Sequence, residues 1–158
     1  MATVTEQLFD SALQVDGFSG ATSDTDSPLV LRNVIVAERG VFKSRRGQFD
    51  DKGLDKIVEL GNSLTRGLQV RWDAAQGVHG APSQFGSHLG RLKDFLKEDG
   101  AVRADIHFAN VAKPMASYLA ELAQEDPEAV GLSLILRHTR VADGANPPVF
   151  VPTELKCC

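Results

Sequence analysis

Apolar residues recur along this chain with two periods, and the switches between them delimit its elements. Residues 29–37 follow Pro28 and carry a β-branched run, Val30, Val34, Ile35 and Val36, which predicts a strand. In residues 52–64 the period becomes helical, with Leu54, Ile57, Val58, Gly61 and Leu64 on one side. Asp50 or Asp51 stands where an N-cap is needed, and Gly67 where the helix must have ended. Leu68, Val70 and Trp72 then alternate with Gln69, Arg71 and Asp73, the mark of a strand. Residues 88–98, with Leu89, Leu92 and Phe95, predict another. Residues 101–108 alternate cleanly, Val102, Ala104, Ile106 and Phe108 against Arg103, Asp105 and His107. Asp99-Gly100 between these two runs is a hairpin signal. Residues 112–125 predict a second helix, with Pro114 in its first turn and Met115, Tyr118, Leu119 and Leu122 as its apolar stripe.

Residues 129–137 form an apolar strand with one small hydroxyl in its middle. Alternation puts Val130, Leu132, Leu134 and Leu136 on one face, and Gly131, Ser133, Ile135 and Arg137 on the other. Gly131 leaves room beside Ser133. A loop over 143–148 leads to a last strand around 149–155.

Three stretches lack a period. Residues 1–27 are small and polar apart from Leu8, Phe9 and Leu13, and are expected to be a flexible N-terminal arm. Residues 39–51 read as a loop with a basic cluster, Lys43, Arg45 and Arg46. Residues 73–87, with Gly77, Gly80, Pro82 and Gly86, make a long loop of the kind that carries function. Hairpins outnumber regular βαβ units. The expectation is therefore an α+β domain over residues 28–158, with two main helices and a mostly antiparallel, barrel-like sheet of about five to seven strands.

A length of 158 residues suits one domain with a real core. The formal net charge of -4 gives no basic surface for nucleic acid, and no apolar run is long enough to span a membrane. The first nine residues lack the layout of a secretory signal, which points to a cytosolic protein. Cys157 and Cys158 are adjacent and cannot staple a core or form a paired zinc motif. The chain stops there in mid-pattern, as a truncated or processed C-terminus does.

A serine hydroxyl is a poor nucleophile until a base takes its proton, so Ser133 needs a histidine within reach. The chain has four. His79 lies in the 73–87 loop, which follows a strand end. His88 opens a strand, and His107 lies on a polar, solvated face. His138 is five positions beyond Ser133, an odd separation that turns it to the opposite face. None shows metal-ligand spacing, and no phosphate-binding glycine motif occurs, so neither metal nor cofactor is expected. Taken alone, Ser133 reads as a filler in a buried strand, and Arg71, Arg91, Arg137 and Arg140 as surface charges.

The order of features resembles the bacteriophage prohead (capsid maturation) proteases, which are similar in fold to the herpesvirus assemblins. The resemblance is carried by residues 41–49 before the first helix, by Gly67-Leu68-Gln69-Val70-Arg71-Trp72, by residues 89–95 with 102–108, and by residues 123–133. It implies a serine endopeptidase that cleaves scaffold or capsid-protein segments, with Ser133 as nucleophile and a loop histidine, here His79, as base. Arg137 shares the Ser133 face and is expected to help an oxyanion. Glu154 is the late acid available as third residue. Implied partners are the phage scaffolding protein and the major capsid protein, with a possible homo-oligomer and neither nucleic acid nor membrane. The implied setting is the assembling prohead in the host cytoplasm. The family's histidine follows its strand almost at once, where this chain has Asp73, Ala74 and Ala75. The alternative is therefore an inactive assembly protein on the same fold, its base lost at Ala74. A phage structural domain unrelated to proteolysis is a third reading.

Overall fold

The computed structural model of the chain describes residues 8–24, 29–42, 45–71, 88–129, 131–141 and 147–157. In chain order its elements are β1 (Phe9–Val15), β2 (Thr22–Asp24), β3 (Val30–Glu38), β4 (Gly40–Val41), β5 (Gln48–Phe49) and α1 (Asp51–Ser63). There follow β6 (Leu68–Arg71), β7 (His88–Glu98), β8 (Ala101–Phe108), α2 (Lys113–Glu125), β9 (Leu132–Val141) and β10 (Val149–Cys157). One sheet has the order β1-β9-β10-β5-β4, the other β2-β3-β8-β7-β6. Every pairing is antiparallel except a single parallel contact of β10 with β5 at Val149 and Gln48. The sheets also meet at β10 against β6 and at β1 against β3, which gives the pair a barrel-like closure.

The α+β class, the antiparallel pairing and all six expected strands are present. Ten strands among the described residues exceed the expected five to seven because β1, β2, β4 and β5 fall in the stretches read as arm and loop. The flexible-arm expectation fails over residues 9–15. Phe9 pairs with His138 and Val15 with Leu132, seven residues in register, and Leu13 is buried.

The core lies between the sheets. Leu31, Val34, Val36, Val102, Ala104 and Ile106 come from one, and Leu132, Leu134, Leu136, Phe150 and Leu155 from the other. From Val102 to Phe108 burial alternates residue by residue in β8, as its sequence predicts. In β7 the spacing of Leu92 and Phe95 breaks the period of two, and a bulge absorbs the extra residue: Lys93 pairs with Asp105 but Leu96 with Arg103. Asp94 takes a φ of 59° there. The turn into β8 uses Asp99 and Gly100 at φ 51° and 74°, the two positive values a tight hairpin turn requires.

Helix α1 starts where Asp50 Oδ1 accepts from the Gly53 N–H at 2.8 Å. Its far end docks on β7 through Asn62, whose amide nitrogen donates to the Phe95 carbonyl and whose oxygen accepts from the Phe95 N–H. Lys97 of β7 meets Asp55 of α1 at 2.6 Å, a hydrogen bond that raises the lysine pKa above its ordinary value. Helix α2 departs from its expected stripe. It buries Ala116, Leu119, Ala120 and Ala123, while Tyr118 stays 58% exposed. Three small alanines let the helix sit close to the protein body, and the larger Tyr118 side chain is turned aside.

Candidate functional site

Strand β9 presents two faces of different character. Leu132, Leu134, Leu136 and His138 point inward and are buried, while Ser133, Ile135, Arg137 and Thr139 are half-buried on the outer side. The expected alternation therefore holds, and it keeps Ser133 out of the core. Across the pairing with β1, Ser133 stands directly opposite Gln14. Opposed residues of an antiparallel pair share a face, with Cβ atoms about 5 Å apart. Gln14 is exposed, and its amide lies over Gly131: a Cβ placed on Gly131 would come within 2.6 Å of Gln14 Nε2. The space that glycine leaves beside Ser133 is taken up by a carboxamide.

Arg137 and Glu154 are also brought together. They are cross-strand partners in β9 and β10, with Nη1 and Oε2 3.8 Å apart, and Lys156 Nζ lies 3.6 Å from the other oxygen of Glu154. Arg137 is four residues from Ser133 on the same face, about 13 Å along an extended strand. Cys157 pairs with Ile135, so Ser133 lies just beyond the described part of β10.

The histidines separate sharply. His79 and Ala74 lie outside the described residues. His88 accepts at Nδ1 from the Gln69 amide at 3.0 Å if that nitrogen is unprotonated, and it ties the start of β7 to β6. His107 is less solvated than expected: its Nε2 is covered and has no hydrogen-bond partner, with Asp94 Oδ2 3.8 Å away. Donor atoms of Asp94, Asp105 and His107 lie within 4.8 Å of one another. Both oxygens of Asp105 already accept bonds, from Arg32 and from the Asn33 N–H. Asp105 is thereby tied to Arg32 and the Asn33 backbone of β3.

His138 is the residue whose surroundings the sequence reading missed. It is wholly buried, stacked on Phe150 with ring centroids 3.7 Å apart, and flanked by Phe9 at 5.8 Å. The Arg140 guanidinium lies 3.9 Å over the Phe9 ring. His138 Nδ1 is 3.3 Å from the Thr139 carbonyl, and Nε2 is 2.8 Å from Ser11 Oγ. A carbonyl only accepts, so Nδ1 carries the proton, and in the neutral ring Nε2 then accepts from the Ser11 hydroxyl. Extending the Leu132, Leu134, Leu136 alternation by one step would have placed this histidine in the core. Its partner serine sits in β1, within the stretch whose composition predicts an arm.

No family model matches the sequence, and no curated protein does. Among solved structures the chain is similar to the bacteriophage T4 capsid assembly protease. The TM-score is 0.61 at 12% identity, over 96% of this chain and 93% of that one. At that identity the likeness shows the fold, which this chain shares with that protease. Within it the described sheet carries the outward Ser133 with Gln14 and Gly131, and the Arg137–Glu154 pair.

Proposed function

We propose that this chain is a serine endopeptidase that cleaves scaffold and capsid-protein segments during prohead maturation. The observation that carries the reading is Ser133 on the outer, half-exposed face of β9, in a fold shared with a capsid assembly protease. A nucleophile must meet a peptide carbonyl, and an outward serine on a rigid strand is accessible where a core serine is not. In this mechanism His79 takes the proton from Ser133 Oγ as Oγ bonds to the carbonyl carbon. The carbonyl π pair moves onto oxygen. On collapse the C–N bond breaks and His79 returns its proton to the leaving amine. Water, activated by the same base, then hydrolyses the acyl-enzyme. Glu154 serves as the third residue, orienting the base. Arg137 acts on the developing oxyanion through water, given its distance along the strand. The partners are the scaffolding protein and the major capsid protein, met inside the assembling prohead in the host cytoplasm.

Co-expression of the chain with its scaffold and capsid proteins tests this. Ser133→Ala should abolish processing, and undiminished processing by that variant removes Ser133 as nucleophile. Ala74, at the position where the family carries its histidine, favours a second reading, an inactive assembly protein on the same fold. A fluorophosphonate probe separates the two on the intact chain. Labelling at Ser133 that depends on His79 supports the enzyme, and no labelling supports the assembly protein.

A further inference from the structure

We propose that Gln14 is an oxyanion donor for Ser133, an inference that rests on the serine-protease reading above. Acyl transfer by serine places negative charge on the former carbonyl oxygen, and preorganised N–H groups beside the nucleophile stabilise it. A side-chain amide can fill that role because it donates without carrying a proton that must be lost. Gln14 meets the positional requirement from the opposite strand. It is the register partner of Ser133, on the same outward face. Its Nε2 lies over Gly131, two residues before the nucleophile, where any larger residue would displace it. Among the described residues its amide makes no hydrogen bond, so its donors are open to a ligand. Arg137, paired with Glu154 about 13 Å along the strand, acts there only through water, which leaves the direct donor position to Gln14. Strand β1 thus contributes chemistry as well as an edge. Gly131 has a reason to be glycine that backbone conformation does not supply: it seats the amide.

The test uses the full chain and the rate of Ser133 labelling by a fluorophosphonate, in which Oγ bonds to phosphorus, fluoride leaves, and charge gathers on the phosphoryl oxygen. Gln14→Ala should lower the maximal labelling rate about 100-fold, as loss of one oxyanion donor does, with half-saturation and the urea midpoint unchanged. Gln14→Glu, an acceptor of the same shape, should be at least as slow. Gly131→Ala should slow the wild-type background and add nothing in the Gln14→Ala background, because the two changes remove one interaction. Wild-type rates in Gln14→Ala overturn the inference and leave the protease reading intact. Full activity in Gln14→Glu overturns donation as well. Failure of the unaltered chain to label at Ser133 overturns the protease reading itself, and the inference with it.

Discussion

The same pair of strands, β1 and β9, holds two serines in opposite circumstances. On the inner face Ser11 bonds a fully buried histidine that is stacked between phenylalanines. On the outer face Ser133 is half-exposed, with a glutamine amide beside it. By hydrogen-bond polarity alone the inner pair looks more like a catalytic dyad, since His138 Nε2 accepts from Ser11. Burial reverses the ranking. A base sealed in the core has no room to swing protons between nucleophile and leaving group, and a polar ring buried at 0% exposure needs its partners simply to stay folded. A serine–histidine contact is therefore evidence of satisfaction first. Exposure to solvent is what separates the two faces.

The hardest blow to that contrast comes from His138→Ala. Removing a ring packed between Phe9 and Phe150 should cost about 3 kcal/mol, read as a shift of the urea midpoint. Labelling of the remaining folded protein at Ser133 should be unaffected. If stability holds while labelling vanishes, His138 is the base and the two faces have been assigned the wrong way round.

Ser11→Ala should cost less, about 1–2 kcal/mol, because it strands the buried Nε2 of His138 without opening a large hole. Combining it with His138→Phe should recover most of that loss, since two apolar groups leave no polar atom unpaired. A double variant as unstable as the sum of the single changes would show that the hydrogen bond is not what Ser11 supplies.

The outer face was the more legible of the two. Alternation alone turned Ser133 away from the core, and the Asp99-Gly100 turn and the Asp50 cap fixed β7, β8 and α1 within a residue or so. What escaped was decided by distant pairing. Phe9, Ser11, Leu13 and Val15 alternate, yet a serine in the apolar register hid the strand until β9, 127 residues beyond Ser11, supplied its partner. Gln14 was invisible for the same reason. Its neighbours are set by register, and no local pattern reports register. In α2 the small alanines that let the helix approach the protein body carry less apolar weight than Tyr118, so periodicity predicts a stripe one side over from the buried face.

Ser133→Ala, which removes the proposed nucleophile, should change stability by less than about 0.5 kcal/mol, the usual range for a substitution outside the core. Equal destabilisation by Ser133→Ala and Ser11→Ala would erase the distinction between the faces.

The smallest expected change in stability is at Glu154. Its contacts with Arg137 at 3.8 Å and Lys156 at 3.6 Å are long and solvent-exposed. Glu154→Gln should therefore move stability by no more than about 0.5 kcal/mol. Any effect should shrink in about 1 M salt, where charges on an exposed sheet are screened within a few ångströms. Its activity should respond far more than its fold. A carboxylate that orients the base raises that base's affinity for the proton, so the amide should slow labelling roughly 10-fold or more and move the acid limb of the pH–rate profile to lower pH. Arg137→Met breaks the same ion pair but removes a positive charge, so it should reproduce the stability change and move that limb the other way, to higher pH. Identical pH profiles for Glu154→Gln and the unaltered chain would reduce Glu154 to the counter-ion of Arg137, and the outer face would keep Ser133 and Gln14 without it.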